Sequence, residues 1–287
     1  MAAIYKKEFR GFMTSMVGYV FIAFLLVVSG IYYTAYHLQG AYPKFSYTLQ
    51  SVLFVFLIAV PVLSMRVLAE ERKQKTDQLL LTSPVSVAGI VMGKYLALVS
   101  VFGIAAAVLA VYPLILTQFG TISMAESYTA LFGFFLMGSC YLSIGLYLSS
   151  VTESQVIAAV LTFLFLFVCY VIEGIASFFP ETSSASFYTM VVLVLAAACV
   201  IYYMVHQAVI TIAIAVCLEA ALVVLYLVNA SFYESLIQEL LGVLDITEHF
   251  TEFCSGILDV TGIIYYLTVI GVFLFLTVQS IQKRRWS

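Results

Sequence analysis

Charge is scarce in this sequence. Asp, Glu, Lys and Arg supply 9% of the 287 residues and apolar types 64%, with a mean hydropathy of +1.11. A soluble domain needs roughly a quarter charged residues to face water, so a soluble globular protein with a greasy core is excluded. Lys and Arg are missing altogether from Tyr95 to Gln282, and the net charge is only −3. No basic field exists to hold nucleic acid. The five cysteines (Cys140, Cys169, Cys199, Cys217 and Cys254) show no C-x-x-C spacing and read as small apolar residues, not as disulfides or a zinc site. His37, His206 and His249 lack any H-E-x-x-H spacing, and no G-x-S-x-G elbow occurs. Gly89-Ile-Val-Met-Gly93-Lys94-Tyr95 imitates a phosphate-binding loop, but its spacing is short by one and Tyr95 stands where Ser or Thr is needed. A G-x-x-x-G packing contact explains it better. These absences leave no metal site, no catalytic motif and no nucleotide site of the chain's own.

Long apolar runs are abundant. Stretches of about 20 residues, enough to cross a bilayer, run over Val17–Tyr36, Leu49–Val67, Ile90–Leu116, Ser127–Ser149, Gln155–Phe178, Phe187–Val205, Ala208–Val228 and Gly262–Ile281. The first is too long for a signal-peptide core and ends in no A-x-A site, so it is expected to stay as a spanning helix. The pair meeting at His206–Gln207 has a very short turn, and half-spans are an alternative there. The expected fold is all-α: a polytopic transmembrane helical bundle of about eight spans forming a single domain over residues 1–287.

Eleven of the twelve basic residues fall on one side of that arrangement. Lys6, Lys7 and Arg10 precede the first span. Arg66, Arg72, Lys73, Lys75 and Lys94 lie between the second and third, and Lys283, Arg284 and Arg285 follow the last. Lys44 alone lies opposite. Positive charge stays in the cytoplasm, so both termini and the 66–89 segment are expected there, in a multi-pass plasma-membrane (inner or cell membrane) protein. Segment 229–261 is then external, with Leu236, Ile237, Leu240, Leu241 and Leu244 at helical spacing.

The 66–89 segment is the densest in charge. Glu70, Glu71, Arg72, Lys73, Lys75 and Asp77 lead into Leu79, Leu80 and Leu81, and Ser83-Pro84 stops the helix. Taken by itself this is an amphipathic helix at the membrane surface or a solvated connector. Two acids sit within apolar runs: Glu173 near the outer end of the fifth and Glu219 mid-way along the seventh. Each must face protein, water or a partner, as a polar contact in a substrate path or as a helix–helix hydrogen bond. Gly138, Ser139, Ser143 and Gly145 mark close helix packing on the fourth span.

The run AEERKQKTDQLLLTSPVS closely resembles ABC-2-type transporter permeases, in which mixed charges lead into T-x-x-L-L-x-[ST]-x-P. YKKEFRGFMTSMVGYVF resembles their interfacial helix and first span, and HFTEFCSGILDVTGIIYYLTVIGVFLFLT their last external helix and final span. The likeness is strongest to the permease subunit associated with gliding motility. It implies that segment 66–89 is a coupling element docking on a cytoplasmic ABC ATPase, which would bind the ATP and Mg. Leu79 and Leu80 would be the segment's packing anchors, Glu70, Glu71, Arg72 and Lys73 would set its register, and Thr76 and Pro84 would belong to the same coupling set. It also implies a second permease copy or paralogue, membrane lipids around both, an accessory subunit outside the cytoplasm, and a hydrophobic or amphipathic cargo. Phe250 and Phe253, with Gly256, would belong to the second short external helix and, with Glu173 and Glu219, are candidates for the pathway or gate. The family usually has six spans, so 187–228 reads as an inserted hairpin. Two other readings stand beside transport. A membrane-embedded lipid enzyme would need paired polar residues that the cytoplasmic half lacks. A membrane anchor recruiting an ATPase to an extracellular machine fits the gliding-motility resemblance.

Overall fold

The computed structural model describes residues 1–76, 85–178, 182–184, 186–191, 194–195, 216, 219–220, 222–223, 225–226 and 236–286. These fall into two compact units, one of Met1–Val168 with Ile246–Ser287 and one of Cys169–Asp245. Leu79, Leu80 and Pro84 lie outside the described residues, as do most of the 187–228 hairpin and Cys199 and Cys217.

In the first unit, α1 (Ala2–Thr14) is the polar-and-apolar helix carrying Lys6, Lys7, Glu8 and Arg10, and it stops at extended Ser15. The chain then enters α2 (Met16–Tyr33), whose last turn widens into a π-helical segment over Thr34–Gln39. The next apolar run forms α3 (Ser46–Ser64) and, past a single turn at Met65, α4 (Arg66–Lys73). The third run is broken: α5 (Val87–Leu109) gives way to the short α6 (Tyr112–Leu116), because Pro113 has no amide to extend the ladder and instead occupies the first turn of a new helix. Ser86 caps α5 and Ser123 caps α7 (Met124–Val151), each accepting the amide three residues on. Then come α8 (Gln155–Ala176), α10 (Glu248–Cys254) and α11 (Val260–Trp286).

Six described helices are long and apolar enough to cross a membrane: Met16–Gln39, Ser46–Lys73, Val87–Leu116, Met124–Val151, Gln155–Ala176 and Val260–Lys283. They coincide with six of the eight apolar runs. α7 is the hub, with α3, α4, α5, α10 and α11 all against it. Its membrane-length window is 72% buried against 28% for α2, so α7 faces protein where α2 turns a stripe of apolar side chains outward. Around α7 the rings of Phe56, Phe102, Phe134 and Tyr141 form one buried aromatic core, with Phe56 5.1 Å from Phe102 and 5.2 Å from Phe134.

In the second unit, α9 (Leu236–Gly242) follows the leucine spacing of the sequence, and Phe187 stacks on Tyr226 at 4.6 Å.

Candidate functional site

The basic end of the first unit is organised around a lysine that reads as a loop residue in the sequence but is wholly buried in the fold. Lys94 sits two turns into α5, and its side chain has no exposed surface. Burying an ammonium without partners would cost several kcal/mol. Here the ammonium has two hydrogen-bond acceptors and a second carboxylate in ion-pair contact. Nζ donates to Glu8 Oε1 of α1 at 2.9 Å and to the Val67 carbonyl of α4 at 3.1 Å, and it pairs with Glu71 Oε1 at 2.8 Å. One cation therefore ties α1, α4 and α5 together. Gly93 makes the approach of α1 close enough, since a Cβ there would stand 3.1 Å from Ile4 and 3.2 Å from the Met1 carbonyl. The G-x-x-x-G reading of Gly89 and Gly93 is thus half realised, with Gly93 at the α1 contact and Gly89 beside the Ser86 cap.

Helix α4 is held from a second side. Its first amides have no partner within the helix, and Met65 offers no capping side chain. Ser149, 80 residues away on α7, fills the role: its Oγ accepts from the Leu68 and Ala69 amides at 3.2 and 3.1 Å and donates to the Met65 carbonyl at 3.0 Å. Arg72 is buried and donates to the Thr152 carbonyl at 3.4 Å. The helix ends in a reverse turn where the Thr76 amide bonds the Glu71 carbonyl and the Lys75 amide the Arg72 carbonyl, with Lys75 at φ 55°. Between α1 and α4 lies a cavity of about 370 Å³ lined by Lys7, Glu8, Phe12, Arg66, Glu70 and Glu71 among others. Arg66 clasps Glu70 with both Nε (2.8 Å) and Nη2 (3.3 Å).

A family model described as ABC-2 family transporter protein matches residues 2–286. The chain belongs to that family. It is accordingly a multi-pass membrane protein and the membrane permease component of an ABC transporter. None of the curated proteins matches it.

In this ABC-2 permease the predicted coupling residues divide in two. Glu70, Glu71 and Arg72 are turned to partners within the chain, whereas Lys73 and Thr76 are exposed at the end of α4. Leu79, Leu80 and Pro84 follow outside the described residues. Glu8 and Lys94 escaped the sequence reading, although a lysine within the apolar run Ile90–Leu116 was itself the signal. At the opposite end, Phe250 and Phe253 are fully buried, with a Cβ at Gly133 only 2.6 Å from the Phe253 side chain, so α10 seals onto α7 in this permease chain. Glu173 is exposed near the end of α8, and Glu219 is half-buried with an Oε1 that meets no hydrogen-bond donor among the described residues. No cluster of three His, Cys, Asp or Glu placed for a metal occurs among the described residues.

Several polar contacts fasten that opposite end. His37, in the π-helical turn, has Nδ1 2.6 Å from the Tyr42 carbonyl, which can only accept, so Nδ1 carries the proton and Nε2 accepts from the Thr48 hydroxyl at 2.8 Å. Lys44 pairs with Glu126 at 3.1 Å, and that pairing raises the Lys44 pKa. Asp259 precedes α11. Partial burial pushes its carboxyl up, but the Gly262 and Thr261 amides, the Thr261 hydroxyl and nearby His249 outweigh this and hold it below its ordinary value of 3.8. A carboxyl with a lowered folded pKa stabilises the fold above its unfolded pKa and loses that contribution as pH falls through the lowered value. The melting temperature of Asp259→Ala should lie below wild type at pH 7, and the gap should close as pH drops below about 4. A gap that stays constant from pH 7 to pH 3 would remove the ionised cap from the account.

Proposed function

We propose that this permease couples ATP hydrolysis by a separate cytoplasmic ABC ATPase to the export of a hydrophobic or amphipathic substrate, working beside a second permease copy or paralogue. On this reading the basic end faces the cytoplasm of a cell that carries the protein in its plasma membrane, and the ATPase supplies the bound ATP and Mg. The chain itself performs no catalysis. Segment 66–89 receives the ATPase, with Leu79 and Leu80 as anchors and the exposed Lys73 and Thr76 at the rim of the contact. Segment 187–228 is then an addition to a six-span core.

The observation that supports this reading is the grip on α4. A push on an isolated surface helix would be dissipated in side-chain motion. Here α4 is tied by Lys94 to α1 and α5 and by Ser149 to α7, so a displacement of α4 is carried as a rigid-body shift into the charged helix α1 and two membrane-length helices, α5 and α7, at once.

The test is co-purification and ATP hydrolysis of the permease with its ATPase in liposomes. Substituting Leu79→Asp and Leu80→Asp together should weaken association by more than about tenfold, since anchors in a protein contact carry roughly 2 kcal/mol, while the permease itself stays folded. Undiminished association would sink the assignment of this segment. ATP hydrolysis that no amphiphile stimulates, in an intact assembly, would instead favour a membrane anchor that recruits the ATPase to an extracellular machine.

A further inference from the structure

The cavity between α1 and α4 has features that transmission of a push does not need, and the geometry points to a binding site for the headgroup of an amino-phospholipid, one that carries both a phosphate and a primary ammonium. Its depth in the membrane is the first argument. It opens where α1 turns into α2 at Ser15 and α3 turns into α4 at Met65, the level at which two apolar helices give way to charged segments and lipid phosphates lie. The volume of about 370 Å³ suits a small polar group.

Charge is the second argument. The lining offers two cations, Lys7 and Arg66, and three carboxylates, Glu8, Glu70 and Glu71. With Lys94 buried behind Glu8 and Glu71, three cations stand against three carboxylates, and a balanced site of this kind suits a ligand that carries both signs rather than a purely anionic or purely cationic one. Lys7 is 66% exposed and stands 3.7 Å from both Glu8 and Glu71. That distance is an ion pair but too long for a hydrogen bond, so the ammonium keeps its donors for a third group. Arg66 spends Nε and Nη2 on Glu70 but keeps Nη1, so a phosphate between Lys7 and Arg66 Nη1 with an ammonium toward the part-exposed Glu70 carboxylate satisfies both signs together. A quaternary ammonium would not serve, because it has no N–H to give a carboxylate.

The apolar wall argues for a lipid over a soluble phospho-compound. Phe12 and Val17 line the cavity, and beside Val17 an outward stripe of Met16, Val20, Phe24, Val27 and Ile31 runs the length of α2. An acyl chain attached to the bound headgroup would lie along this stripe. Gly11 completes the cradle: nothing stands within 4 Å of where its Cβ would be, so the space in front of α1 is open.

Native mass spectrometry of the full chain, purified with an equimolar mixture of phosphatidylethanolamine, phosphatidylcholine and phosphatidylglycerol, tests this. Wild type should retain phosphatidylethanolamine over the other two by about tenfold, the worth of one charge-assisted hydrogen bond. Lys7→Ala should lower retention of all three lipids, since each carries the phosphate, and Glu70→Gln should abolish the preference for phosphatidylethanolamine. Gly11→Leu should abolish it as well by filling the cavity, and it leaves every charge and the Lys94 contacts in place, so it separates a lost site from a lost fold. Equal retention of the three lipids by wild type, or an unchanged preference in Gly11→Leu, overturns the site. Displacement of the lipid by soluble phosphoethanolamine at equal concentration overturns the role of the acyl chain and leaves only a headgroup chemistry. The outcome is independent of ATPase association, so this site and the coupling function fail separately.

Discussion

Replacing Lys94 by Met should destabilise the protein by about 3–5 kcal/mol, the cost of removing one partner from a buried ion pair. The side chain is fully enclosed, and its loss leaves Glu8 and Glu71 facing each other across the space it held. Both carboxylates retain some access, at 15% and 16% side-chain exposure, and Lys7 lies 3.7 Å from each, so part of the repulsion is relieved by water and by that lysine. The lower half of the range is therefore expected. Chemical unfolding in detergent micelles measures it. The discriminating variant removes the acids too. Lys94→Met combined with Glu8→Leu and Glu71→Leu presents an apolar surface of similar volume, and buried ion sets replaced in this way often lose little or even gain stability. Stability should return most of the way to wild type. A triple variant as unstable as Lys94→Met alone would mean that the lysine matters through its bond to the Val67 carbonyl and not through charge.

That triad also shows what the sequence could and could not reveal. Membrane insertion, the all-α class and six of the expected spans follow from local properties, namely runs of apolar residues and the side on which the bases fall. Those signals need no knowledge of the tertiary fold. The short helix after the second span was legible for the same reason, but its end was not: α4 stops at Lys73 in a reverse turn made by Lys75, a residue with no glycine to announce it, and the Ser83-Pro84 stop read from the sequence lies outside the described residues. The contacts that fix α4 were not legible. Glu8 and Lys94 are 86 residues apart and Ser149 lies 81 from Leu68, and no periodicity couples such positions. Lys94 looked like one more positive charge flanking a span because position along the chain does not state depth. Glu71 and Arg72 looked available to a partner because charge in a loop ordinarily faces water, whereas here the loop helix is drawn against α5 and α7. His249 has Glu248 and Glu252 as sequence neighbours, yet the carboxylate at 3.6 Å in the fold is that of Asp259. Small residues on the fourth span were readable as a packing face, but which aromatic rings they admit was not.

That packing face carries the second large effect. Gly138→Ala should cost about 3 kcal/mol, at the upper end of what overpacked cores show. A Cβ at Gly138 would stand 2.5 Å from Phe102 Cζ and 2.9 Å from Phe56 Cζ, well inside contact distance. Neither ring can step aside. Both are fully buried, Phe56 is stacked against Tyr141 at 6.0 Å and faces Phe134 at 5.2 Å, and Phe102 lies parallel to Phe135 at 5.6 Å with 7° between the planes. The clash is with rigid rings at the centre of the bundle, where α3, α5 and α7 meet, and relief would require one of those helices to shift. The same proximity predicts the remedy. Phe102→Leu removes the atoms that the new methyl strikes, so Gly138→Ala with Phe102→Leu should be more stable than Gly138→Ala alone, although Phe102→Leu by itself leaves a cavity and destabilises. Additive losses in the double variant, measured by the same unfolding experiment, would show that the two positions are not in contact and would overturn the packing of α5 on α7 described above.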